Sequence, residues 1–387
     1  MRKLWRIGIV KDRGQPMLGL HGHQVAFRGL PGVEISALVD SKTEGLDEIL
    51  ALTRAQRHYL SYQDMLDKED LDVVVLCSRH PYDHWPQIQA AAARGVHVYC
   101  EKPMTVSLAE ADQIVAIAEQ QGLKICAAHP ARYGRNFRTL QALLAAGEIG
   151  QPLVIHGRGK NDHRGGGEDL VVLGTHILDL QSFLFGPPEC VLADITVNGR
   201  PLRKTERTET VEPIGPAAGD DLYACFRFPG GVRGIFQSTR GLYDPSSGVL
   251  HMGVTVAGTR GSLALRFADG VPEDKLRISR RPGPVEDGAD YQEVALIEDE
   301  AIPGAEPLDY SLCGQPDVCG ATWFLEANRA AAWDLLCAIE EDRQPVSNAH
   351  TARIALEMIY GVYGSHLSGR SVAFPLEERA HPLDPSE

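Results

Sequence analysis

Apolar positions follow two rhythms along this chain, and the change from one to the other falls near residue 130. Before it, near-continuous apolar runs at 5–10, 33–39, 73–77, 96–100 and 124–128 have the length of strands covered on both faces. Between them, 82–94 and 107–121 repeat apolar residues at helical spacing. Ser107 followed three residues later by Glu110 predicts a capped helix start, and Gly95 and Gly122 mark helix ends. Strand and helix in alternation predict a parallel, doubly wound sheet, an α/β domain over residues 1–130.

Beyond it the text turns Gly-rich and strand-prone, with runs at 153–157, 191–197, 222–228, 234–238, 253–257 and 262–267. Strands in succession without long intervening helices predict a second, α+β domain over 131–387 built on a large, mostly antiparallel sheet. Helical spacing returns at 169–184, 323–341 and 351–367, while 269–319 reads as loops with short strands.

Two domains suit a chain of 387 residues with 43% hydrophobic and 23% charged content. No apolar run approaches the roughly 18 to 20 residues of a membrane helix, and no secretory leader pattern opens the sequence. The expectation is a cytoplasmic protein. With Lys+Arg 38 against Asp+Glu 52 the net charge is -14, which argues against nucleic acid as a partner. Of the eight cysteines, Cys77, Cys100 and Cys126 sit in apolar runs and read as buried thiols. Cys313 and Cys319 form a close pair but lack the second half of a zinc motif, so no metal is assigned.

The chemistry begins at Asp40, which ends the second strand where a doubly wound dinucleotide domain places its ribose-binding carboxylate and so favours NAD. Ser41 and Lys42 beside it leave NADP possible. The first strand leads into Gly8-Ile9-Val10-Lys11-Asp12-Arg13-Gly14, which is not a GxGxxG turn. Gly8, Val10, Asp12 and Gly14 are nevertheless its candidates for the dinucleotide turn. The fourth strand runs into Glu101-Lys102-Pro103, and the helix expected from Ser107 follows.

With these residues the chain resembles the glucose-fructose oxidoreductase and inositol dehydrogenase family, Gfo/Idh/MocA. Further agreement lies in 30–34 running to Asp40, in His84, in Arg132-Tyr133, in 147–150, in Gly174-Thr175-His176-Ile177-Leu178-Asp179, in 257–263 and in 368–375. The resemblance spans about 5–376 in one order. It implies a Rossmann domain that binds NAD, with NADP as the alternative, through the turn residues together with Asp40, Ser78, His80, His84, Glu101, Lys102 and Arg132. It implies hydride exchange between nicotinamide and a hydroxyl or keto carbon of a sugar, glycoside or cyclitol. It further implies assembly as a homodimer or homotetramer through the second sheet.

Lys102 and His176 are the proton-handling candidates under this resemblance. A Glu-Lys pair closing a strand and a packed core histidine are the structural alternatives. Two departures matter. The family usually has an aspartate one turn before the histidine, where this chain has Val172, and it commonly has Thr-Pro-Asn where this chain has Arg79-His80-Pro81. If 169–184 is one helix, Asp169, Val172, His176 and Asp179 share a face, so Asp169 or Asp179 could replace the missing acid. Lys160, Asp162, His163 and Arg164 form a charged cluster upstream. Lys160, His163, Asp169 and Asp179 join Lys102 and His176 as substrate-binding candidates. Two alternatives stay open: redox-assisted glycoside cleavage with a retained cofactor, and a non-catalytic binding or regulatory protein on the same fold.

Overall fold

The structure is a computed structural model that describes residues 3–11, 23–243, 252–267, 275–282, 290–299, 301–312 and 322–384. In chain order the first elements are β1 (Trp5–Val10), β2 (Val33–Val39), α1 (Leu46–Thr53), β3 (Arg57–Tyr59), α2 (Tyr62–Lys68), β4 (Val73–Leu76), α3 (Pro81–Ala92), β5 (His97–Cys100), α4 (Leu108–Gln121) and β6 (Ile125–Ala127). After them come α5 (Arg135–Ala145), β7 (Pro152–Arg158), α6 (Gly167–Val172), α7 (Gly174–Phe185), β8 (Cys190–Val197), β9 (Arg200–Pro201), β10 (Asp221–Arg227), β11 (Arg233–Thr239), β12 (Gly253–Gly258) and β13 (Ser262–Arg266). The last are β14 (Arg277–Ser279), β15 (Gln292–Glu293), α8 (Thr322–Glu340), α9 (Ala349–Ser368) and β16 (Val372–Ala373). Among the described residues, no helix is long and apolar enough to cross a membrane.

The chain divides into two compact units, Met1–Gly134 with Asp299–Ala352, and Arg135–Glu298 with Arg353–Glu387. The sequence places all of 131–387 in one domain, yet 299–352 clusters with the first unit. The reason is packing at long range: α8 lies against β6 and the 130–132 turn. Tyr99 Oη donates to Asn328 Oδ1 at 2.5 Å, and Tyr133 Oη donates to Asp334 Oδ2 at 2.9 Å while accepting the Ser347 N–H. These contacts satisfy buried polar groups that would otherwise be costly.

In the first unit the parallel sheet has the order β3-β2-β1-β4-β5-β6. The continuous apolar runs are explained by burial on both faces, since every residue of β4 is within 1% of full burial. The strand order reverses between β1 and β4, which is where open α/β sheets bind ligands at their carboxyl edge. Helix α4 starts on Ser107, whose Oγ accepts the Glu110 N–H at 3.3 Å, and stops at Gly122 with φ 66°. The capping box closes differently from the sequence expectation. Glu110 turns to the Thr105 hydroxyl, and the Ser107 N–H donates to Thr105 Oγ1 instead.

The second unit holds a ten-stranded sheet in the order β15-β14-β13-β12-β7-β11-β10-β8-β16, with β9 on β8. It is antiparallel except where β11 runs parallel to β7. Helix α7 packs on β7 and β11. The single helix expected over 169–184 is interrupted at Leu173, which lies outside both α6 and α7. Gly174, a poor helix former, follows it, and a Cβ there would come within 2.9 Å of Phe236 Cζ. Helical periodicity therefore does not carry across from Asp169 to His176, and the shared face of Asp169, Val172, His176 and Asp179 does not follow from spacing.

Candidate functional site

Parallel pairing sets the candidates of the first unit in a row. Val10 pairs with Val39 and with Leu76, Leu76 with Cys100, and Cys100 with Ala127. The ladder continues one residue further, as Lys11 donates its N–H to Val39, Cys77 to Val10, Glu101 to Leu76 and Ala128 to Cys100. Lys11, Asp40, Cys77 and Glu101 thus stand together at the carboxyl edge, and Ser78 and Lys102 each lie one residue beyond it.

Asp40 is 4% exposed. Its Oδ2 accepts the Lys11 ammonium at 2.6 Å and its Oδ1 accepts the Lys42 N–H at 3.0 Å. Ser78 Oγ donates to Asp83 Oδ2 at 2.9 Å and accepts the His80 N–H, so the residues after β4 are braced as α3 begins. His84 is fully buried, with Nε2 2.8 Å from the Ser78 carbonyl and Nδ1 3.0 Å from that of Pro103. Each ring nitrogen faces a backbone carbonyl, so the His84 ring lies between the loop after β4 and the loop after β5. Glu101 is buried and pairs with His23 at 2.8 Å, while Lys102 beside it is half-buried. Arg132 is buried and donates to the Val346 carbonyl at 3.3 Å.

Gly8 and Val10 lie within β1 rather than beyond its end. The space above Gly8 is filled by Leu71 and Met65, 2.7 and 2.9 Å from where a Cβ would stand, so that glycine serves packing. Asp12 and Gly14 lie outside the described residues, as do Cys313 and Cys319.

In the second unit the decisive residue is Asp169, which is wholly buried. Its Oδ2 accepts the Ser238 hydroxyl at 2.6 Å and the Asn161 N–H at 3.3 Å, whereas its Oδ1 has no hydrogen-bond partner among the described residues. Burial raises its carboxyl pKa to about 6. Gly159 makes room for it, since a Cβ at that position would collide with Oδ2. Burial, reinforced by the Arg164 charge, pushes the Lys160 ammonium down to about 8. Arg164 itself is held by Asp162 and Glu212, each at 2.9 Å. Glu168 accepts the N–H groups of Val211 and Glu212.

His176 is 6% exposed and Asp179 fully buried on α7, and Val172 is buried on α6. The His163 side chain is 60% exposed, 3.9 Å from Asp162 Oδ1. Asp83, Ser238 and Asn161 were not singled out by sequence. Nothing local marks Ser238, because it reaches Asp169 from a strand far along the chain. Among the described residues, no three His, Cys, Asp or Glu side chains converge as metal ligands.

The donor set of the first unit fits a dinucleotide. A buried acid ends the second strand, the sheet reverses order beside it, and Glu101-Lys102 lies on the same edge. Asp40 would lie toward the adenosine ribose, and Ser78, Glu101 and Lys102 toward the nicotinamide.

Comparison with known proteins gives two family-model matches that together cover more than half of the chain. Residues 14–129 match the GFO_IDH_MocA model, described as an oxidoreductase family with an NAD-binding Rossmann fold. Residues 137–264 match the GFO/IDH/MocA C-terminal domain. A D-apiose dehydrogenase of Paraburkholderia graminis is 32% identical over 174 residues, 42% of this chain and 46% of that protein. A trans-1,2-dihydrobenzene-1,2-diol dehydrogenase of Bos taurus is 30% identical over 218 residues, 54% of this chain and 58% of that protein. The chain spans about half the length of these curated relatives. In fold it is similar to a levoglucosan dehydrogenase solved with NADH and levoglucosan, at TM-score 0.72 and 17% identity, covering 96% of this chain and 100% of that one.

Proposed function

Because the chain belongs to the Gfo/Idh/MocA oxidoreductase family, we propose that it is an NAD(P)-dependent dehydrogenase acting on a hydroxyl of a sugar, glycoside or cyclitol. The observation that carries the proposal is the row at the carboxyl edge of the parallel sheet, where Asp40, Glu101 and the adjoining Lys102 stand level with the strand-order reversal. The names of the relatives, dehydrogenases of apiose and of a cyclic diol, support the substrate class.

A bound nicotinamide supplies the hydride-exchanging carbon. Lys102 holds the proton of the reacting alcohol at Nζ, and the pair of Glu101 with His23 keeps the end of β5 in place. His84 acts through the loops it lies between, positioning Lys102 rather than touching the cofactor. In the second unit, His176 serves as the other proton-handling group, while Lys160, Asp169 and Asp179 meet substrate hydroxyls. His163, being mostly exposed, contributes least to this set.

Incubation with a panel of aldoses, glycosides and cyclitols and either NAD or NADP, followed at the nicotinamide absorbance, tests the proposal. Turnover with members of one class is the expected result. Dinucleotide binding without any turnover would favour the non-catalytic reading, and loss of substrate without net reduction would favour redox-assisted cleavage.

The second sheet supports assembly as a homodimer. Leu192, Cys225, Ile235, His156 and Thr255 form one row across it, none of them buried, while their neighbours Val191, Ala224, Phe236, Ile155 and Val254 are fully buried. Light scattering should give a dimer or tetramer mass for the native chain and a monomer mass for Ile235→Lys. An unchanged mass in the variant removes this face from the interface.

A further inference from the structure

Resting on the reading of the first unit as a dinucleotide site, we propose that Lys11 sets cofactor selection: by neutralising Asp40 it lets the adenosine ribose end accept a 2′-phosphate, so that NADP(H) binds as readily as NAD(H). An acid at the end of the second strand ordinarily selects NAD in two ways. It accepts from both ribose hydroxyls, and its charge repels a 2′-phosphate. Both actions are altered here. Asp40 Oδ2 holds the Lys11 ammonium at 2.6 Å, and Oδ1 already accepts the Lys42 N–H. The pair is net neutral, so an incoming phosphate meets a cation as near as the anion.

Lys11 is well placed to keep this position. Its backbone N–H donates to Val39 at 3.0 Å, which continues the β1–β2 ladder and fixes where the side chain starts. The side chain is 17% exposed and that of Asp40 3%, so solvent screens the pair weakly. On the other side, His58 Nε2 lies 2.8 Å from the Asp40 carbonyl and holds the strand end. A phosphate can recruit the Lys11 ammonium without moving the strand, because only the flexible lysine stem need turn.

The test is titration of NADH and NADPH by nicotinamide fluorescence on native protein and on Lys11→Met, Asp40→Asn and Lys11→Arg. The native dissociation constants should agree within about threefold. Lys11→Met should shift their ratio toward NADH by about tenfold or more, Asp40→Asn should shift it toward NADPH, and Lys11→Arg should keep the native ratio. Added salt should erode the binding of NADPH more than that of NADH. Opposite shifts from the two neutralising variants are a charge signature, since a purely structural role moves both affinities together. More than tenfold tighter NADH binding by the native protein, or an unchanged ratio in both neutralising variants, overturns this inference alone. Binding of neither dinucleotide overturns it together with the dehydrogenase reading.

Discussion

Replacing Lys102 by methionine should lower kcat by about 1,000-fold while leaving dinucleotide affinity within about threefold. The substitution keeps the length of the side chain and removes its proton-carrying atom. Lys102 follows directly on β5, whose last residue Cys100 pairs with Leu76 of β4, the strand that borders the strand-order reversal. A group that meets the alcohol only as its proton moves should act on kcat rather than on KM. Wild-type kcat in the variant would remove Lys102 from the chemistry. A proportional loss of dinucleotide binding would make it a cofactor-holding residue instead.

Replacing Asp169 by asparagine should stabilise the protein at neutral pH while weakening it as an enzyme. The wholly buried carboxyl has its pKa raised by burial to about 6, above the ordinary value of 3.8. The folded state therefore binds the proton more tightly than the unfolded state between about pH 4 and 6, so stability falls as pH rises through that window and is flat above it. A shift of this size corresponds to about 3 kcal/mol at pH 7. Asparagine carries no charge to desolvate, and its amide oxygen can still accept from Ser238 and Asn161. The variant should match the native protein near pH 4 and exceed it by up to about 3 kcal/mol at pH 7 in denaturant unfolding. Its kcat/KM should fall by about 10- to 100-fold, since a hydrogen bond to a charged acceptor is lost from the substrate. Equal stability of the two proteins at pH 7 would show that the acid is not ionised at a cost. Unchanged kcat/KM would leave Asp169 as a packing residue.

The sequence by itself determined the parts of this protein that depend on neighbours a few residues away. Strands buried on both faces announce themselves as unbroken apolar runs, and β1, β2, β4, β5 and β6 lie where those runs do. The start of α4 on Ser107 and its stop at Gly122 are equally local, because the cap hydrogen bond spans three residues and the left-handed turn needs one glycine. Glu101 and Lys102 were legible for the same reason, being the residues on which an apolar run ends. Two elements were less legible: β3 is Arg57-His58-Tyr59, with no apolar run to mark it, and α2 has seven residues, too few for a period to declare itself.

Tertiary structure decided whatever joins distant residues. The Lys11–Asp40 pair spans 29 positions and the Ser238–Asp169 bond 69. No periodicity encodes either, yet the first balances the charge at the end of β2 and the second holds one oxygen of the buried acid in place. The return of 299–352 to the first unit likewise rests on Asn328, Asp334 and Ser347 meeting Tyr99, Tyr133 and Ala127. At Leu173 the two levels conflict, for the helical rhythm of 169–184 runs on where the chain does not. Close approach of Phe236 to Gly174 favours a break there, because packing against the sheet outweighs the few tenths of a kcal/mol that helix propensity offers per residue.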